Sequence, residues 1–307
     1  MKTFRDKVAV ITGGASGLGR EFANVAAREG MKLVLADVQA DALERAAGEL
    51  RGQGVRVISM LCDVRKGEQV QALADAAVAE FGAVHLVFNN AGVGSGGLIW
   101  ENTEADWEWV IGVNLWGVIH GVRIFTKLML ESAAKDPAFE GHIVNTASMA
   151  GLLNAPAMGV YNVSKHAVVS LSETLYQDLQ LVGAPIGASV LCPYFVPTGI
   201  SQSHRNRPDD VGMTQRPTAS QLAAQAMTDK AVSSGKVSAQ DVAELTFKAV
   251  ADGQFYIYSH PGALAGVQER MAHIVAGTNP GDPYAATPHV REALRAKMKL
   301  GASGPEG

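Results

Sequence analysis

"KVAVITGGASGLG", residues 7–19, is the stretch from which the rest of the chain is read. Its first half, residues 7–12, is a short, largely apolar run of strand length. Its second half places Gly13, Gly17 and Gly19 in a turn and at the head of a helical pattern that begins at Leu18 and ends near Gly30. Glycine lets the backbone turn sharply and lets a ligand come close. The free N–H groups at a helix start attract an anion. A strand, a glycine-rich turn and a helix in that order make a cradle for a diphosphate, with Ser16 and Leu18 beside the glycines. The other reading is a glycine-rich turn that holds no ligand.

Working outward, short apolar runs alternate with longer helical patterns. Strands are predicted at residues 7–12, 32–37, 55–63, 84–90, 141–148, 186–193 and 255–259. Helices are predicted at about residues 18–30, 41–50, 67–81, 104–132, 161–181 and 239–251, the fourth with Thr103 as N-cap and Asp106 three residues on. Apolar strands that each lead into a helix imply a parallel sheet covered on both faces. Right-handed crossovers then make it doubly wound. The expected fold is α/β, a seven-stranded parallel Rossmann sheet in a single domain over residues 1–260. Residues 199–237 break the rhythm: they are polar, contain Pro208 and Pro217, and hold a helical stretch near residues 220–230. An insertion after the sixth strand is a candidate substrate lid. Leu264, Val267, Met271 and Ile274 stand at helical spacing, so a C-terminal extension (residues 261–300) is expected to add an amphipathic helix packed on the body or on a partner chain. Residues 301–307, "GASGPEG", are expected to be disordered.

Composition limits the function classes. The 307 residues are 47% hydrophobic and 18% charged, which suits a globular chain with a large core. The net charge is −4 and there is no block of Lys or Arg, so neither nucleic acid nor a membrane surface is an expected partner. No uninterrupted apolar run reaches the ~18 residues of a membrane span. Cys62 and Cys192 lack companions at metal-ligand spacing, so no metal is expected. They read as reduced, buried thiols of a cytoplasmic protein.

Asp37 ends the second predicted strand about twenty residues after the glycine turn. A carboxylate there can accept hydrogen bonds from an adenosine ribose and repel a 2′-phosphate. Neither Ser16 nor Val38 is an Arg or Lys that would bind such a phosphate, which favours NAD over NADP. The plain alternative is a solvated Asp in a strand–helix turn. Further on, Tyr161 and Lys165 lie four residues apart in "YNVSK", one helical turn apart on one face. A fixed cation favours a phenolate, so the pair can move protons. It can also be a packed tyrosine beside a snorkelling lysine.

Together these pieces resemble the short-chain dehydrogenase/reductase family. The glycine pattern, Asp63 in "CDV", "NNAG" at residues 89–92, Asn114 in "GVNLWG", Ser148 and "YNVSK" follow in the family's order, with Ser148 standing 13 residues before Tyr161. The match covers about residues 4–260. The resemblance implies a catalytic set of Asn114, Ser148, Tyr161 and Lys165. Tyr161 would be the general acid/base, and Lys165 would hold the nicotinamide ribose and lower the phenol's pKa. Ser148 would orient the substrate oxygen, and Asn114 would help hold a water linking Lys165 to solvent. Asp63 and Val64 would flank the adenine, and Asn90, Ala91 and Gly92 would line the cofactor channel. Pro193, Val196 and Thr198 would hold the nicotinamide. Tyr194 stands where the family places glycine, which bears on substrate size. More narrowly, the length and the insertions resemble a bacterial branch that includes dehydrogenases of benzylic alcohols in aryl ethers and reductases of bulky ketones.

The expected activity is hydride transfer between NAD and a hydrophobic, bulky or aromatic secondary alcohol or ketone. Met149, Leu152, Leu153, Met158 and Tyr194 would form the substrate wall. An NADPH-dependent carbonyl reductase and a non-catalytic dinucleotide-binding redox sensor are the competing readings. The second has no need of the four catalytic residues together. His120, His142 and His166 read as structural. Trp107, Trp109 and Trp116, on a helix apolar nearly all round, suggest burial against another subunit. Family members are commonly dimers or tetramers, and a homo-oligomer is expected here.

Overall fold

The computed structural model describes residues 1–212 and 215–302. Seven parallel strands form one sheet: β1 (Val8–Thr12), β2 (Lys32–Asp37), β3 (Val57–Leu61), β4 (Leu86–Asn89), β5 (Gly141–Thr146), β6 (Ile186–Cys192) and β7 (Tyr256–Tyr258). Their order is β3-β2-β1-β4-β5-β6-β7. The helices between them are α1 (Gly17–Arg28), α2 (Ala40–Gly52), α3 (Gly67–Phe81), α4 (Glu104–Ile111), α5 (Gly117–Lys135), α6 (Gly159–Leu181), α7 (Ala219–Ser233) and α8 (Ala239–Asp252). α9 (Leu264–Ala276) and α10 (Pro288–Ala302) follow. The strand order reverses between β1 and β4, and the crevice at such a switch point takes ligands in open α/β sheets.

The inner strands β1, β2, β4, β5 and β6 are buried on both faces, which explains their largely apolar runs, whereas the edge strands β3 and β7 are partly exposed. On one face Phe22 of α1 stacks on Phe88 of β4 at 4.4 Å, and Phe88 meets Phe247 of α8 at 5.5 Å. On the other, Val10 and Val87 pack with Phe125 and Met129 of α5. Fully burying each such side chain stabilises the fold by about 1.5–3 kcal/mol. The third strand is shorter than predicted because only residues 57–61 find partners in β2.

The predicted helix over residues 104–132 is present but not uniform. Thr103 and Asp106 form a reciprocal capping box at its start, as their spacing implies. A π-helical turn then separates α4 from α5 at Gly112–Trp116. Such a turn inserts an extra residue and re-aims a side chain. Here the side chain is Asn114, which is wholly buried. The segment Glu104–Lys135 is, by length and mean hydropathy alone, apolar enough to cross a membrane. Counting uninterrupted apolar residues did not predict that. In the fold its Val110, Phe125 and Met129 pack inside the protein.

The C-terminal extension holds two helices, not one. Leu264 and Val267 of α9 pack on the body, whereas Met271 and Ile274 are exposed. The predicted apolar stripe is therefore only half covered within the chain. α10, which the pattern reading missed, lies against α7. Of the predicted disordered tail, residues 303–307 lie outside the described residues, and residues 301–302 end α10.

Candidate active site

The glycine turn follows directly from β1. Gly13 and Gly17 both have left-handed backbone, with φ of 65° and 54°, which glycine adopts without strain. A Cβ on Gly19 would stand 2.0 Å from the Gly13 carbonyl oxygen, so only glycine lets α1 pack onto the turn. Gly19 therefore does not line the cleft, as the sequence reading had it; it sits behind the loop. Gly13, Ser16, Gly17 and Leu18 do line it. The Ser16 side chain makes no cap hydrogen bond, and the first turn of α1 carries no acidic residue. These features fit an anionic diphosphate.

The cleft continues past Asp37, Asp63, Val64, Asn90, Ala91 and Gly92 to Tyr161 and Lys165. Asp37 is buried, and its carboxylate accepts hydrogen bonds from the backbone N–H of Ala15 (3.1 Å) and Gln39 (3.0 Å). It thus ties the end of β2 to the glycine loop. Thr12 steadies the next wall: its hydroxyl accepts from the N–H groups of Asn90 and Ala91 at 2.9 and 3.1 Å. Asp63 is held by Arg65, whose Nη2 lies 2.7 Å from one carboxylate oxygen and 3.2 Å from Asp210. The sequence reading missed Arg65, because nothing local marks its second partner 145 residues away.

Tyr161 lies in the first turn of α6, which begins two residues earlier than predicted, and Lys165 follows one turn later. The Lys165 ammonium lies 5.7 Å from the centroid of the Tyr161 ring and donates to the Thr146 carbonyl at 2.9 Å. Burial pulls Lys165 down to about 8. Burial also pushes the Tyr161 phenol above its ordinary value, and the Ser148 side chain acts in the opposite direction. The resemblance implied a phenol lowered by Lys165. In this structure burial sets the direction, and Ser148 is the group that acts against it. Ser148, at the end of β5, accepts from the Ala150 N–H at 3.1 Å.

Asn114 does not line the cleft. Its Oδ1 accepts from the Val93 N–H at 2.8 Å, and its Nδ2 donates to the Val93 carbonyl and to Ser164. A Cβ on Gly92 would lie 3.4 Å from Asn114 Oδ1 and 3.5 Å from Lys165 Nζ, so Gly92 keeps the space between them open.

Beyond β6, Pro193, Val196 and Thr198 line the same cleft. A second pocket opens beside Ser148 and Tyr161, walled by Leu153, Met158, Tyr194, Phe195, Ile200 and Val232. Met149 borders it with a fully buried side chain. Leu152 does not line it; it packs against the core cluster that holds Val118, Val168 and Val190. Ile200 and Val232 come from the segment read as a lid over residues 199–237, which was expected to add to this wall without naming them, whereas Phe195, just before that segment, was not predicted.

That segment is anchored at several points. Arg207 Nη1 meets Asp106 at 2.5 Å, with both side chains about one-tenth exposed, and its guanidinium lies 5.1 Å from the Trp109 ring centroid. Thr218 and Ser220 both donate to Glu101, at 2.5 and 2.6 Å. Trp109 is therefore buried within its own chain and lines the cleft, contrary to the expectation of a subunit contact, while Trp116 is exposed. The histidines are structural in their surroundings: His142 is buried on Ser189 and His166 meets Arg270 of α9. Both cysteines are free and buried, and burial raises each thiol to about 12.

A diphosphate cradle at the switch point, leading to a Tyr–Lys–Ser group at the strand ends, defines a nicotinamide-dinucleotide oxidoreductase. A model of the short chain dehydrogenase family matches residues 7–209, and the chain belongs to that family. It is 36% identical over 299 residues to a C alpha-dehydrogenase of Sphingobium sp. strain SYK-6, spanning 96% of this chain and 94% of that one. It is 33% identical to a CLA biosynthesis dehydrogenase/reductase of Lactiplantibacillus plantarum, spanning 91% and 97%. A crystal structure of a short chain dehydrogenase/reductase from Burkholderia phymatum in complex with NAD is 55% identical and superimposes with a TM-score of 0.90, covering 92% of this chain and 99% of that one. The protein is an NAD(P)-dependent oxidoreductase acting on CH–OH groups.

Proposed function

We propose that this enzyme moves hydride between NAD(H) and a hydrophobic, bulky or aromatic secondary alcohol or ketone, with Tyr161 as general acid/base. The observation that carries the reading is the apolar pocket of Leu153, Met158, Tyr194, Phe195 and Ile200 that opens onto Ser148 and Tyr161. Such walls favour apolar substrates, and a few polar groups set their orientation. The preference for NAD rests on Asp37, whose flanking Ser16, Val38 and Gln39 carry no cation. The related protein bound to NAD supports it. The C alpha-dehydrogenase relative supports a benzylic alcohol as one substrate type.

Bound in the cleft, the nicotinamide supplies the hydride acceptor or donor. Tyr161 takes the hydroxyl proton in oxidation and returns it to the carbonyl oxygen in reduction. Ser148 donates a hydrogen bond to that oxygen as charge develops on it. Lys165, held by the Thr146 carbonyl, keeps positive charge beside the phenol and favours its ionised form when oxidation requires it. The segment over residues 199–233 acts as a lid that excludes water. Exposed Trp116 and Val163, on the π-helical turn and α6, offer a face for a second copy of the chain.

The test is Tyr161→Phe with an aryl ketone and NADH. The variant should bind NADH as the parent does and lose at least ~1,000-fold in kcat. Turnover at the parent's rate would refute the assignment, and tighter binding of NADPH than NADH by the parent would refute the cofactor choice.

A further inference from the structure

We infer that Arg205 grips the diphosphate of the bound dinucleotide, closing the cradle from the side opposite the glycine loop. The inference rests on the cofactor reading above and assigns a residue outside the glycine motif. Among the described residues, three cations line the cleft: Arg65, Lys165 and Arg205. Arg65 is neutralised by Asp63 and Asp210. Lys165 is buried at the far end on the Thr146 carbonyl. Arg205 has no carboxylate partner among the described residues. Its Nη1 donates to the carbonyls of Gly199 and Gln202, both at 3.1 Å, while its Nε and Nη2 have no acceptor there.

Its position points the same way. A Cβ on Gly17 would stand 3.4 Å from the Cβ of Thr198, so the Thr198 side chain lies against the glycine loop. A Cβ on Gly199 would stand 2.7 Å from Arg205 Nη2. The guanidinium thus flanks the residue next to Thr198, on the cleft wall facing the loop. The loop brings no side-chain cation of its own. Arg20, in the first turn of α1, is spent on the Ala46 carbonyl and Glu49. The dinucleotide's diphosphate carries two negative charges, and the N-terminus of α1 offsets only about half of one. A planar guanidinium with free N–H groups matches phosphate oxygens in two-pronged geometry. The two carbonyls that hold Nη1 aim the group without neutralising it.

The test uses ADP-ribose and adenosine as probes, with binding to the full chain measured by calorimetry for the parent, Arg205→Met and Arg205→Lys. ADP-ribose contains the diphosphate and adenosine does not. Arg205→Met should weaken ADP-ribose about 10- to 100-fold, as expected for a lost charge-assisted contact, and leave adenosine within about twofold. Added salt should weaken ADP-ribose binding less steeply in Arg205→Met than in the parent, and Arg205→Lys should recover part of the affinity. Equal losses for both probes would mean that Arg205 only shapes the segment, and would overturn the assignment. So would unchanged ADP-ribose binding, or an effect confined to KM for the ketone. A parent that binds neither ADP-ribose nor adenosine would bring down the cofactor reading itself, a result distinct from a variant that binds as the parent does.

Discussion

Replacing Arg207 with Met removes one half of an ion pair that pins the segment over the active site to α4. Both members are about one-tenth exposed and meet at 2.5 Å. Breaking a buried pair from one side costs about 3–5 kcal/mol, because the other charge stays buried without its partner. At about 2–4 °C per kcal/mol for a domain approaching this size, the melting temperature at about pH 7 should fall by roughly 6–20 °C. The loss has a pH signature. Burial pushes the Asp106 carboxyl upward, but the hydrogen bond from Arg207 and those from Thr103 outweigh it and hold the group below its ordinary value. In the parent that stabilisation is full above the unfolded pKa and is lost as pH falls through the lower folded pKa. Without Arg207 burial dominates, Asp106 rises, and the variant sheds its penalty by taking up a proton. The gap in melting temperature between parent and variant should therefore narrow from about pH 7 to about pH 4.5. Adding Asp106→Asn to the variant should restore much of the stability at neutral pH. Calorimetric melts of the two proteins at the two pH values measure this. A gap under about 1 °C at neutral pH, or one equally wide at both, would show that the pair does not bear on the fold as argued.

Asp37→Ser should narrow the preference for NADH over NADPH by about 100-fold, since the like-charge contact it removes is worth several kcal/mol; the ratio of the two dissociation constants reads it. Tyr194→Gly should cut kcat/KM for a bulky aryl ketone by roughly tenfold and for a small aliphatic ketone by under about threefold, because Tyr194 borders both the cleft and the apolar pocket. His142 is buried with its Nε2 2.8 Å from Ser189 Oγ, and burial pulls it down to about 3. The unfolded chain binds that proton first as pH falls, so stability drops below about pH 6.5, by about 2 kcal/mol at pH 5 from this group. His142→Gln should flatten that part of the acid slope in denaturant titrations.

What the chain determined by itself is whatever local backbone geometry dictates. The apolar strands, the capping box of Thr103 and Asp106, the glycines of residues 13–19 and the one-turn spacing of Tyr161 and Lys165 all act over a few residues, so the order of residues alone reveals them. That the sheet is parallel and doubly wound follows, because apolar strands with helical crossovers leave few topologies open, while the strand order itself is read from the fold. The tertiary structure decided the rest. Arg65 reaches Asp210 and Arg207 reaches Asp106 across 145 and 101 residues, and no periodicity marks such pairs. Whether Leu152 or Phe195 faces the substrate pocket depended on how α9 and the segment over residues 199–233 cover the strand ends. Trp109 turned inward and Trp116 outward because a π-helical turn shifts the helix faces between them. A sequence specifies these contacts only through the packed whole, because each exchanges water for a partner that folding alone brings within reach.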